Sequence, residues 1–508
     1  MQEYLLQDDA RKQILKTFKL IKDLIVPTMG ARGLMAGIDN GWGQPNLTDD
    51  GVTVAKALNN LSGWDRTIAK AIIEAAHTTE AEAFDGTTLT VLLTYLLYEL
   101  GYKEIKGGAH PNQVSDIIES EINLMLKNLE DEVIEMTPEM VEDVATIATK
   151  MPEMGKIIKE AYEIVGKDMD VIVKWDRNSM DTTIEHVKGY SINSGFSIPV
   201  FEKFGTHFDH AAVALMKSGL TTEVQLKAWM NSIPKEGYSN VIYFVLPSFN
   251  PESMRRIIQF HQKNGLGFNF VFLQGADIDQ TLQDLAALTG AKIQDPAFGI
   301  KNYEYDMCGT IASIDLEKTR CILEADEDDK DIKERIEERI KVYKDIVHDE
   351  KFTGSSMQKI NAETKLAALQ HGVATINVGS PTEAGFTPVK LKLDDAKGAV
   401  YKSFQEGVVP GGGRTLINIS RDSLLSEVMK KPFEVILKNA GISLPKDLEE
   451  LNHDEGVDVL TGDRVNLIDA GIIDSVASIK RAMINASSIA THYLRVYMLI
   501  KEKEPTKQ

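Results

Sequence analysis

Near Gly189 the hydrophobic pattern of the chain changes, and after the run GVATINVG at 372–379 it changes back. Before the first point, apolar residues recur with helical period over Ala10 to Val26, Asp65 to Ala83, Gly86 to Leu100 and Asn112 to Ile134, and helical segments continue from Pro138 to Val165. GLMAGID at 33–39 reads as a strand leading into the turn-rich GWGQPN, while VIVKW and TTIEHVKGYSI alternate like strands. Between the two points the strand-like runs AAVALMK, NVIYFVLP and FNFVFLQ are separated by the amphipathic segments TTEVQLKAWM, PESMRRIIQFHQKNG and DIDQTLQDLAALTG, the signature of an α/β layer. A charged helix follows at 329–346, its charge run reading as a solvated face, and after residue 379 the chain is helical to Ile500, with KEKEPTKQ disordered. Helical blocks on either side of an α/β block predict a multidomain α+β protein with an inserted domain and chain ends that pack together. At 508 residues, two to four domains are expected.

A net charge of −20 argues against a nucleic-acid surface, which needs clustered Lys and Arg. Cys308 and Cys321 are the only cysteines and lack metal-site spacing, so the expected compartment is reducing, the cytoplasm. MQEYLLQDDARK has neither a basic nor an apolar leader region, and the longest apolar run, Val91 to Leu97, falls short of a membrane span. No membrane partner is expected.

FDGTTLTVLLTYLL at 84–97 sets a carboxylate and two hydroxyls against a segment apolar on nearly every face. Two readings stand side by side. Asp is a favoured helix N-cap; equally, a helix N-terminus offers unpaired N–H groups to phosphate, and Asp with hydroxyls suits the accompanying magnesium. Similar turns recur: PTMGARG at 27–33 between a helix and a strand, TDDGVTVAKAL at 48–58 and PGGGRTL at 410–416 opening helices, and DDA at 394–396 and GIID at 471–474 putting carboxylates at helix boundaries. Each alone is an ordinary cap or turn. Converging, they supply the parts of a phosphoryl-hydrolysis site: backbone donors for phosphate, oxygens for a divalent ion, and a spare carboxylate for water. GVVPGGGRT at 407–415 is the nearest approach to a Walker A loop but lacks its Lys, and HEXXH is absent. HFDH at 207–210 offers two imidazoles and a carboxylate without further metal pattern, and reads as a surface loop.

In this order PTMGARG, NLTDDGVTVA, FDGTTLTVL, FQEGVVPGGGRTLI and GIID resemble the group I, GroEL-like chaperonins, whose pattern is close to TLGPKGR, ITKDGVSVA, DGTTTATVL, EEGVVAGGG and GILD; VATINVGSPTE and LAALTGAKI extend the likeness through the middle. The resemblance implies a mainly helical equatorial domain that binds nucleotide (1–132 and 408–508), a small intermediate hinge domain (133–187 and 374–407) and an inserted α/β apical domain (188–373), with hinges near Pro138 and Gly407 and near Gly189 and Gly372. It implies ATP hydrolysis with Mg2+ and a supporting K+, a homo-oligomeric ring of seven, non-native polypeptides as clients and a co-chaperonin lid.

Carried over position by position, Thr28, Met29, Gly30 and Ala31 line the nucleotide, together with Asp49 and Gly51; Asp85 holds magnesium; Gly86, Thr87, Thr88 and Leu89 face the phosphates. Gly412 lies against the nucleoside, Asp458, Val459 and Leu460 take the place of the base-contacting Asn-Ala-Ala stretch, and Asp474 accepts from the ribose. Asp395 is the water-activating carboxylate and Asp50 assists; a carboxylate of low pKa is a weak base, so it orients water more than it deprotonates it. Clients are expected on Phe196, Val200 and Phe201 and on Met254, Ile257 and Ile258, the last three equally readable as helix core.

The departures are as specific. Asp49 stands where the family has Lys, which moves the local charge by two units and bears on monovalent-cation support; Leu89 replaces a third Thr and Ala31 a Pro. Ser194 aligns with an Arg of inter-subunit pairing whose Glu partner is kept as Glu383, and the Gly-Gly-Met tail repeats are missing. These point to a divergent member, with a viral source as one reading. A ring-forming holdase without ATPase activity is the rival expectation, and a metabolic kinase or phosphatase the more distant one.

Overall fold

The computed structural model describes residues 2–39, 45–58, 61–168, 171–187, 190–192, 194, 206–217, 240–245, 255–256, 259, 267–273, 278–294, 307–317, 320–326, 328–348, 362, 365–366, 368–369, 373–445 and 452–502. The chain divides into two compact units, one of Met1–Tyr162, Val173–Thr183 and Asn377–Gln508, the other of Glu163–Ile172 and Ile184–Ile376.

The first unit begins with strand β1 (Gln2–Leu6) and helix α1 (Gln7–Ile25), followed by the short hairpin β2 (Ala36–Ile38) and β3 (Asn46–Thr48). Helices α2 (Gly51–Ala57), α3 (Gly63–Ala83), α4 (Thr87–Lys106), α5 (Pro111–Glu132), α6 (Val141–Thr149) and α7 (Pro152–Val165) come next. Strands β4 (Val171–Asp176), β5 (Thr183–Val187) and, much later, β13 (Val373–Gly379) form a three-stranded sheet in the order β4-β13-β5.

The second unit is built on a seven-stranded mixed sheet of β6 (Tyr190–Ile192), β7 (His207–Met216), β8 (Asn240–Val245), β9 (Gly267–Phe272), β10 (Ile293–Gln294), β11 (Gly309–Leu316) and β12 (Cys321–Glu324). Its order is β6-β12-β11-β7-β8-β9, with β10 pairing β7; β7, β8 and β9 run parallel, and β6, β12 and β11 join antiparallel. Helices α8 (Ile278–Thr289) and α9 (Lys330–His348) belong to the same unit. Val213, Leu215, Phe244, Phe270 and Val271 are wholly buried, which is why the central strands read as continuous apolar runs.

Among the described residues of this unit one charged side chain, Asp284, is buried. Asp284 on α8 is 0% exposed and accepts from Tyr190 (2.7 Å), Tyr343 (2.7 Å), Arg339 Nε (2.9 Å) and Lys365 (3.1 Å). Two cations and two hydroxyls therefore satisfy the carboxylate, and burial with the Asp284 charge drives the Tyr190 hydroxyl well above its usual pKa.

The chain then returns to the first unit through α10 (Glu383–Glu406), β14 (Val408–Pro410), α11 (Arg414–Ile419), α12 (Lys431–Asn439), the hairpin β15 (Glu455–Val457) and β16 (Arg464–Asn466), β17 (Ile473–Ser475), α13 (Val476–Leu494) and β18 (Met498–Glu502). Helix α4 is the axis of this unit, with α1, α3, α5 and α13 packed around it. Val91, Leu93, Leu97 and Tyr98 are fully buried, each side chain of that size contributing about 1.5–3 kcal/mol.

Three readings of the sequence need correction. Residues 498–502 are a strand, and Lys501 and Glu502 are ordered within it: β18 pairs antiparallel with β1, Gln2 opposite Glu502, so the ends of the described chain do meet, but as strands rather than helices. The DDA segment lies inside α10 and not at a boundary, because that helix starts at the Thr382 cap and continues through Pro388. HFDH opens strand β7 rather than a loop, and its His207 is held by Asp315 at 2.8 Å and Asp209 at 3.3 Å. TTEVQLKAWM, most of PESMRRIIQFHQKNG and the hinge candidates Gly189 and Gly372 lie outside the described residues.

Candidate functional site

The FDGTT turn settles one of the two readings left open. Phe84 (φ +58°) and Gly86 (φ +91°) both adopt left-handed backbone, a conformation that at position 86 suits only glycine well. The N-cap of α4 is Gly86, which has no side chain to cap with, and Asp85 instead accepts from Ser478 Oγ at 3.3 Å. The first turn of α4 therefore has no side-chain cap. Helix α2 shows the contrast: Asp50 caps it, accepting from Val52 N at 3.1 Å and Thr53 N at 2.8 Å. Two Asp-Gly helix starts of similar sequence thus differ in function. At α2 the carboxylate accepts from the first-turn backbone; at α4 the first-turn N–H groups have no side-chain acceptor, and the Asp85 carboxylate is held by the Gly86 backbone N–H and the Ser478 hydroxyl instead.

The remaining turns gather around this point. Thr28, at the end of the turn after α1, has its hydroxyl 3.5 Å from that of Thr88. Gly51 lies so close that a Cβ there would meet Thr88 Oγ1 at 2.6 Å. Thr87 donates to Glu80 at 3.3 Å, bringing the last turn of α3 into the site. Helix α10, which carries Asp395, rests on the same turn: a Cβ at Gly398 would fall 2.0 Å from Phe84 Cγ, so only glycine allows this approach. Leu89 faces the core, consistent with the apolar wall beginning one position early.

Charge in the cluster is unbalanced. Desolvation, with the neighbouring charges of Glu80, Asp50 and Asp85, pushes the Asp395 carboxyl up to about 8. Glu80 is raised to about 7 by desolvation and by Asp50, and Asp474 to about 7 by desolvation and Asp85. Asp85 is also raised, mainly by desolvation, although its surface is exposed. Those two facts describe a carboxylate on the floor of a cleft, reachable from solvent but walled by protein. The sequence led us to expect a weakly basic Asp395; without a counter-cation it is the opposite. Among the described residues no three carboxylate, imidazole or thiol side chains converge to hold a metal by themselves.

Asp49 has a different setting. Its carboxylate is bound by Lys150 at 3.3 Å and Lys392 at 3.0 Å, and although burial opposes it, these two lysines hold its pKa below the usual range. The family's lysine at this position is thus replaced by a carboxylate between two lysines from α10 and the end of α6.

On the far side, Asn439 of α12 donates to the Val26 and Met29 carbonyls, both at 3.0 Å, and fixes the loop carrying Met29, Gly30 and Ala31. Arg32 of that loop reaches the Leu460 carbonyl at 2.7 Å. Asp458 accepts from Leu460 N at 2.8 Å, while Val459 packs beside Phe433 and Leu437. β14 pairs with β17 so that Val409 faces Asp474, which sets the Gly411–Gly413 turn beside that carboxylate. Every site position expected of the nucleotide pocket therefore falls in one unit. Glu80, Lys150, Lys392 and Gly398 were not anticipated from sequence; Glu80, in the last turn of α3 and five residues before Asp85, carried the one available signal. Phe196, Val200, Phe201, Met254, Ile257 and Ile258 lie outside the described residues.

Over residues 21–232 and 278–504 the sequence matches the TCP-1/cpn60 chaperonin family, so the chain belongs to that family. Among solved structures it is similar to the chaperonin gp146 from the bacteriophage EL 2 (Pseudomonas aeruginosa), crystallised in two forms in the presence of ATP-BeFx. Both give a TM-score of 0.73 over 99% of each chain, at 17% and 18% identity. At that identity the likeness establishes the chaperonin fold. Among the described residues no helix is long and apolar enough to cross a membrane.

Proposed function

We propose that this chaperonin binds Mg-ATP in the cleft around Asp85 and hydrolyses it to drive the folding of captured polypeptides in a homo-oligomeric ring. The observation that carries the reading is the surplus of carboxylates beside a helix start without a side-chain cap: Asp85 raises the proton affinity of Glu80 and of Asp395, and Glu80 raises that of Asp395, a concentration of negative charge that a magnesium–nucleotide complex would neutralise. The ATP-BeFx in which the phage chaperonin was crystallised supports the same ligand.

In this reading Asp85 holds the magnesium, which supplies charge neutralisation of the phosphates. The first-turn N–H groups of α4 and the Thr87 and Thr88 hydroxyls orient the phosphates; the Thr28–Ala31 loop, Gly412, Asp474 and the 458–460 segment hold the nucleoside. Asp395 would take a proton from the water that attacks the terminal phosphorus as the bond to the ADP oxygen breaks, once bound magnesium has drawn its carboxyl down from about 8 into the ionised form. Asp50, committed to α2, contributes field rather than proton transfer. Residues 1–132 with 408–508 form the equatorial domain, 133–187 with 374–407 the intermediate, and 188–373 the apical domain that receives clients.

The test is hydrolysis by Asp395→Ala against the parent. The variant is expected to bind Mg-ATP as before and to lose about 10²–10⁴-fold in turnover. Parent-like turnover would remove Asp395 from its role. A parent that suppresses client aggregation but consumes no ATP would instead establish the holdase.

A further inference from the structure

A supporting potassium ion is among the expectations from sequence, and the residues beside the phosphate site do not fit one. The Lys150 ammonium occupies a small cage of oxygens there. It donates to the Thr28 carbonyl at 2.9 Å and the Asp49 carbonyl at 3.4 Å, and it lies 3.3 Å from Asp49 Oδ2. Two backbone carbonyls and a carboxylate are ligands of the kind a dehydrated monovalent cation takes. A lysine ammonium has three donors, and these three oxygens use them all.

The placement is specific. Lys150 is the C-cap of α6 and sits at φ +58°, a left-handed position where glycine is the usual residue. The backbone bond it makes there, from its N–H to the Thr146 carbonyl at 2.8 Å, needs no side chain. Thr28, whose carbonyl receives the ammonium, presents its hydroxyl to Thr88 at the start of α4, and the charge of Lys150 is felt at Asp85, where it opposes protonation. Lys392 binds the second oxygen of Asp49 at 3.0 Å, so the one carboxylate is shared by two lysines and the cluster keeps a net positive charge.

We infer that Lys150 is the protein's resident monovalent cation, its tethered ammonium filling the carbonyl cage beside the phosphates and making the nucleotide cycle independent of potassium. The inference rests on the ATP reading above for its consequence, but not for its geometry. Asp49 in place of the family's lysine then has a physical reason: the positive charge is delivered from α6 and α10 instead, and the carboxylate anchors it.

The experiment compares the parent with Lys150→Gly, which removes the ammonium yet suits the positive φ, and with Lys150→Met, which keeps the volume. Thermal unfolding without nucleotide and ATP hydrolysis are each measured in potassium chloride and in tetramethylammonium chloride at equal ionic strength. The parent should melt and turn over alike in both salts. Both variants should melt higher in potassium and lose at least about tenfold in turnover without it, recovering when it is restored, the size expected for removing a charged hydrogen-bonding group. A parent that gains from potassium as the variants do, or variants indifferent to it in melting, would overturn the inference. If the parent hydrolyses nothing in either salt, the ATP reading fails, and the melting comparison still decides the occupant of the cage.

Discussion

Asp284 and Asp395 are helix-borne carboxylates in different units, and each is defined by its neighbours. Around Asp284 stand Arg339, Lys365, Tyr190 and Tyr343, every one a donor. Around Asp395 stand Asp394, Glu80, Asp50 and Asp85, every one a like charge. A carboxylate whose partners come from the chain is complete and has a structural role; one surrounded by its own kind is held protonated unless a cation reaches it. The same contrast recurs on a smaller scale at Asp50 and Asp85, two Asp-Gly helix starts of which one caps its helix and the other does not.

This contrast can be broken in four ways. The largest effect is expected of Asp284→Ala, which leaves the Arg339 and Lys365 charges without their buried partner and should cost about 3–5 kcal/mol in denaturant unfolding while nucleotide affinity is unchanged. If Asp284→Ala is as stable as the parent, the node is not structural.

Gly398→Ala comes next. The methyl group would enter the Phe84 ring, an overpacking that outweighs the gain in helix propensity and costs about 1–2 kcal/mol. A second change, Phe84→Ala, should recover part of the loss; if it worsens it, the α10 contact is misassigned.

The third concerns pH. Asp395, Glu80 and Asp474 hold protons up to about 8, 7 and 7, whereas the same groups when unfolded release them near 3.8, 4.5 and 3.8. As pH rises from about 4 to about 8 the folded chain keeps protons that the unfolded chain has lost, so the nucleotide-free protein should become progressively less stable over that window. Asp395→Asn should flatten the upper part of the decline, and a melting curve series that stays as steep would contradict it.

The smallest signal is proton release. Mg-ATP should discharge about one proton near pH 7 as the cation lowers these carboxyls, read from titration heats in buffers of different ionisation enthalpy. Uptake rather than release would place the cation elsewhere.

Legibility from sequence followed range. The helices α1, α3, α4 and α5 and the parallel strands β7, β8 and β9 announce themselves because periodicity is a local property, fixed by the rise and twist of each element. The five turn motifs carried the family in the same way, as short strings in a fixed order. What escaped were elements and residues whose reason lies far along the chain: β1 and β18 are marginal strands made stable by one another, and α10 runs through a proline that looks like a stop.

The chemistry divides along the same line. That Asp85 stands at a helix start, that Asp50 stands at another, and that Asp49 replaces a lysine were all determined by the sequence. Which of the first two caps its helix, that the charges of Glu80 and Asp85 bear on Asp395, and that Lys150 and Lys392 close on Asp49 were decided only by tertiary structure. Capping and periodicity are settled within a turn of the backbone, whereas electrostatic interaction depends on separation in space, and in this chain the groups that meet at one cleft come from positions as far apart as 28 and 474.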